Sequence, residues 1–156
     1  MISLRRSIPP LTAAAVVLAA CAGVNTDQAE YVLTRYLASL HDGYYDDAAI
    51  LYGGPYDALQ DDNPDVDPTD SAALLGRWCE QNGGVCLPIQ TVVSREAAGG
   101  ETYSFVVQLA NDDGSTFEIG PCCGAEDTGQ RTREFTFTVK SIGGRFYVME
   151  LPPYVP

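Results

Sequence analysis

Apolar residues recur at two different spacings in this chain, and the change falls near residue 84. Ahead of it the intervals are threes and fours. Val32, Leu33, Tyr36, Leu37 and Leu40 make one stripe, as on a helix with a single buried face. Asp27 and Glu30 have the spacing of a capping box at its start, and Gly43 suits the left-handed position beyond its end. A second, short helix is expected from Tyr45 to Tyr52, with Ala48, Ala49 and Leu51 inward and Gly53-Gly54 stopping it. A third is expected from Ser71 to Gln81. Asp70 caps it, Ala73, Leu74, Arg77 and Trp78 fall on adjoining faces, and Asn82-Gly83-Gly84 ends it.

Beyond residue 84 the period becomes two. Tyr103, Phe105, Val107 and Leu109 alternate with Thr102, Ser104, Val106 and Gln108, a strand with one richly apolar face. Ile89–Glu96 reads as an earlier strand, turned back by Ala97-Ala98-Gly99-Gly100. Asn111-Asp112-Asp113-Gly114 is a hairpin signal leading to a short strand at Ser115–Ile119. Phe135, Phe137 and Val139 alternate with Thr136, Thr138 and Lys140, and Gly143-Gly144 turns the chain into Phe146 and Val148. Short connections imply an antiparallel sheet. The expected class is α+β, three N-terminal helices packed on a curved antiparallel sheet of four to five strands.

The first residues are of another kind. Arg5 and Arg6 precede an apolar run from Leu11 to Ala20, half of what crosses ~30 Å of hydrocarbon, and small residues lead into Cys21. Leu18-Ala19-Ala20-Cys21 resembles the lipobox of bacterial lipoproteins. There the cysteine thiol takes a diacylglycerol and becomes the first residue after cleavage. The resemblance implies a signal peptide at 1–20, a lipidated N-terminus and short linker at 21–26, and a single domain at 27–156. It implies attachment to the cell membrane or outer membrane through lipid alone, facing away from the cytoplasm. Two or three acyl chains hold a protein firmly where one does not. Ala22 stands where some lipoproteins carry a retention aspartate, which favours the outer membrane in a cell that has two. Secretory cleavage after Ala20 or Ala22, leaving a soluble domain, is the competing reading.

Cleavage at Cys21 removes two of nine basic residues and none of 21 acidic ones, so a formal charge of −12 becomes −14. Such acidity disfavours nucleic acid and anionic headgroups as partners and permits a cationic one.

The order of elements carries a second resemblance. Tyr36-Leu37 to Leu40, Gly43, Tyr45, Ala48-Ala49 and Leu51-Tyr52 look like the opening of nuclear transport factor 2-like domains. The run Phe135–Val148, with its Gly-Gly hairpin, is similar to their closing strands. The resemblance implies a cone-shaped α+β domain whose mouth lies in the helical half. Tyr31, Tyr36, Tyr52 and Tyr56 are then pocket candidates, with Tyr44 and Tyr45 nearby. Tyrosine gives such a wall an apolar body and a polar tip, although the same residues more often serve ordinary core and rim packing. Ketosteroid-isomerase-like members of that wider family use a carboxylate base and an acidic hydrogen-bond donor in the cavity. No residue here matches those one for one, so no catalytic position is carried over.

Of the other chemistry, Cys79, Cys86, Cys122 and Cys123 are an even set in an exported domain, which points to disulfides. The turn at Gly83-Gly84 can bring Cys79 to Cys86, leaving Cys122 and Cys123 free or joined as a vicinal pair. Alternatively, each of those two bonds to one of the earlier cysteines. Their spacing suits neither zinc nor a C-x-x-C redox centre. His41, the sole histidine, complements the end of the first helix. No G-x-S-x-G elbow accompanies it, so hydrolase chemistry is poorly served. Asp61, Asn63, Asp65 and Asp67 alternate like the first ligands of a calcium loop. Val66 and Ala72 then stand where that loop needs Gly and Glu, which leaves weak calcium sites or a solvated loop. No cofactor is indicated. The expected function is a lipid-anchored binding or interaction module for an unknown small molecule or protein. The alternative is an isomerase- or polyketide-cyclase-like enzyme with a buried carboxylate.

Overall fold

A computed structural model describes residues 17–120 and 131–155, with side chains from residue 25. Cys122 and Cys123, and the side chain of Cys21, lie outside the described residues. The order is α1 (Val17–His41), α2 (Tyr45–Leu51), α3 (Asp57–Asp62), α4 (Ser71–Glu80), β1 (Ile89–Gly99), β2 (Thr102–Leu109), β3 (Phe135–Ile142) and β4 (Arg145–Val148). The class is α+β, with one open antiparallel sheet in the order β1-β2-β3-β4.

Helix α1 buries Leu33, Tyr36, Leu37 and Leu40 of the expected stripe, together with Ala29, and leaves Val32 half-buried at its edge. It closes on Gly43, at φ +77°. The Tyr44 N–H reaches Ser39 O at 2.8 Å and the Gly43 N–H reaches Leu40 O at 3.3 Å, the paired bonds of a Schellman ending. The start differs from expectation. The helix already runs from Val17, so Asp27 and Glu30 lie inside it and cap nothing. Both carboxylates instead take Arg95 of β1, at 2.9 and 3.1 Å, fastening the middle of α1 to the sheet edge.

Strand β2 buries Tyr103, Phe105, Val107 and Leu109, and β3 answers with Phe135, Phe137 and Val139. Register pairs Phe105 with Phe137 and Val107 with Phe135, so β2 and β3 turn one apolar face toward α1, while Arg95 of β1 stands beside Phe105 at its margin. β1 carries three register shifts against β2, each bending an edge strand. β3 and β4 meet through Gly143 and Gly144, both at positive φ, as a two-residue primed turn demands.

Two further elements differ from expectation. There are four helices among the described residues, not three: α3 was invisible because its six residues hold a single buried position, Leu59, too few to show a period. The strand expected at Ser115–Ile119 does not form. That segment makes only isolated bridges, Ala110 with Thr116 and Ile119 with Thr132, because the turn after Leu109 folds it directly back on the end of β2. The Phe117 N–H donates to Leu109 O at 2.8 Å there.

Candidate functional site

The tyrosine candidates separate. Tyr36, Tyr52 and Tyr56 come together: Tyr36 stacks on Tyr52 with ring centres 5.9 Å apart, and Tyr56 meets Tyr52 edge-on at 5.0 Å. Tyr31 is not with them. It stands 62% exposed on the outside of α1, beside Arg35. Tyr44 is equally exposed, and Tyr45 packs against Gly76 and bonds Glu80 at 3.0 Å.

Burial sets the chemistry of the trio by penalising the phenolate. Tyr52 is pushed up to about 12, chiefly by burial, with the neighbouring Tyr56 and Glu150 adding to it. Tyr36 is raised further in direction by burial, then by Tyr52, Tyr56 and Glu150. Burial also raises Tyr56, and the Ser71 hydroxyl it faces, without a bond of good geometry, opposes that. All three are neutral phenols at physiological pH. The Tyr52 hydroxyl donates to Pro55 O at 3.1 Å, whereas those of Tyr36 and Tyr56 are buried without a partner. Glu150, two residues beyond β4, accepts from the Thr138 N–H at 2.6 Å.

The calcium candidates do not converge. Asn63 is buried, and its side-chain amide donates to Leu59 O at 2.8 Å. Asp65 faces Arg77 at 2.8 Å. Asp67 closes its own turn on the Thr69 N–H and hydroxyl, bonds that lower its pKa. Among the described residues no three metal-ligating side chains stand together. Asp70 accepts from the Ala73 N–H at 2.9 Å, the cap expected for α4.

Cys79 and Cys86 are joined in a disulfide that spans the end of α4 and the segment before β1. It sits at the His41 end of α1, where the His41 ring lies 3.3 Å from Cys86 O and 4.0 Å from the Asp112 carboxylate. The residues inside this ring, with α3, α4 and the tail after β4, enclose an open groove of about 960 Å³. Asp62, Asn63, Asp65, Arg77, Trp78 and Tyr154 line it. Arg77 is held between Asp65 and Gln81, and the Trp78 ring lies 5.8 Å from that of Tyr154. The tail is seated by the Val85 N–H on Pro153 O and the Val155 N–H on Gly83 O, at 2.8 and 3.0 Å. Gly83 makes that approach possible: a Cβ there would stand 2.5 Å from Val155 O.

The groove escapes sequence reasoning because its wall is assembled from residues some 90 positions apart, Asp62 to Tyr154. The one local sign was charge. Residues 57–80 hold seven carboxylates and one arginine, a net −6 that is half the formal −12 of the whole chain. Comparison with known proteins finds no matching family model, no matching curated protein and no matching solved structure.

Proposed function

We propose that this chain is a lipid-anchored, extracytoplasmic binding module, tethered through Cys21 and binding through the groove between α3, α4 and the tail. The groove carries this reading: it places an aromatic pair, Trp78 and Tyr154, beside carboxylates in a volume suited to a ligand. The placement agrees with the anchor. Cys21 and His41 are 20 residues apart along α1, about 30 Å of helix. The groove belongs to the His41 end, so a ligand would meet it well clear of the membrane.

The reading has two tests. Metabolic labelling with a tagged fatty acid should mark the wild-type chain and not Cys21→Ser; label on the serine variant refutes the anchor. A fragment screen by NMR should give shifts confined to Asp62, Arg77, Trp78 and Tyr154. Shifts centred on Tyr36 and Glu150 would instead favour the second reading, an isomerase- or cyclase-like enzyme. Its support is the pair of unpartnered hydroxyls on Tyr36 and Tyr56, the first of them in the electrostatic reach of Glu150.

A further inference from the structure

We infer that the occupant of this groove is an extended peptide segment bearing lysine or arginine, added as a strand beside Tyr154 with its cation at Asp62. The inference deepens the binding reading and rests on it. Three features of the groove act together.

Charge selects the sign. Asp65 is already neutralised by Arg77 at 2.8 Å, but Asp62 is exposed and has no partner among the described residues. With a net −6 over residues 57–80, an anionic ligand is repelled and a cation is drawn in. The aromatic floor selects the shape. Tyr154 is 53% exposed against Trp78, so the methylene stem of a lysine or arginine can lie on the rings and keep its head at the carboxylate.

The backbone selects a peptide over a free amine. Gly84 and Tyr154 face each other across an antiparallel bridge whose two hydrogen bonds are made by their neighbours, Val85 to Pro153 and Val155 to Gly83. That pattern turns the N–H and C=O of Tyr154 away from Gly84, and neither has a partner among the described residues. An incoming strand can therefore exchange a donor and an acceptor with Tyr154, as in strand addition to an open sheet edge. A small amine would leave that edge unused.

Trp78 is the only tryptophan in the chain, so its fluorescence reports the groove directly. A blocked pentapeptide alternating valine and lysine should change Trp78 emission saturably, and added salt should weaken the effect. Asp62→Asn should weaken binding about two- to fivefold, the range for one exposed ion pair. Asp62→Lys should lose this peptide. N-methylation of alternate peptide nitrogens should abolish binding, and butylammonium should not compete. Equal binding of the glutamate peptide by the wild type, indifference to N-methylation, or no response to any peptide would overturn the inference. If fragments still map to Trp78 and Tyr154 in those cases, the groove remains the binding face and only its ligand class falls. If neither peptides nor fragments reach it, the binding reading falls as well.

Discussion

Tyr36 is fully buried, yet its hydroxyl has no partner, an arrangement with a cost. A buried hydroxyl stripped of water and left unpaired loses about 1–3 kcal/mol. Tyr36→Phe removes only that oxygen and keeps the stacking on Tyr52. The variant should be as stable as the wild type or more stable by about 1 kcal/mol in urea unfolding. A loss of similar size would mean that the hydroxyl bonds a water or ligand, and would turn attention to the second functional reading. From sequence, Tyr36 and Tyr31 were both pocket candidates. The helical stripe distinguishes them, since Tyr36 falls on it and Tyr31 does not. Periodicity placed Tyr36 correctly, but no local pattern could say that Tyr52 and Tyr56 would be its neighbours.

Between α4 and β1, the Cys79–Cys86 bridge closes a loop of seven residues' separation. A loop that short is worth about 2–3 kcal/mol through the unfolded chain's lost freedom. The double variant Cys79→Ala with Cys86→Ala should lose about that much stability, read as a lower denaturation midpoint. It should also change Trp78 emission, because Gly83 and Gly84 inside the loop hold both the tail and the Trp78 ring in place. Unchanged emission would show that the groove does not depend on the bridge. The sequence layout brought these two cysteines together correctly, since both ends of a short glycine turn are local. It failed for Ser115–Ile119, where alternation existed but no neighbouring strand was available along its length. It failed too for α3, whose stability comes from docking Leu59 into the core and not from any periodic face.

Alkali tests the packed interior as one body. An unfolded tyrosine ionises near 10, whereas Tyr52 in the folded chain ionises at about 12 and Tyr36 is raised in the same direction. The neutral phenol is thus the form the fold favours. Below pH 10 that contribution is fully present. Between 10 and 12 the unfolded state binds fewer protons than the native one, so stability falls as pH rises through this window. Unfolding midpoints taken across that window should decline, and Tyr52→Phe should flatten the decline. A midpoint constant to pH 12 would show the tyrosine interior to be open to water.

Apolar spacing by itself determined the class of fold, the inward residues of α1, β2 and β3, and the hairpin at Gly143-Gly144. Those features depend on neighbours in sequence: a period of three to four or of two decides which side of one element meets water. The lipobox resemblance at Cys21 is likewise local, and its test lies in chemistry outside the described residues. Tertiary structure alone decided the rest. It drew Asp27 and Glu30 to Arg95, gave Asp65 and Asp67 separate partners, and set Asp62, Trp78 and Tyr154 around one groove. Side chains this far apart meet only when the core they flank has packed. Their partners are therefore chosen by the folded backbone, and nothing in the residues alongside them encodes the choice.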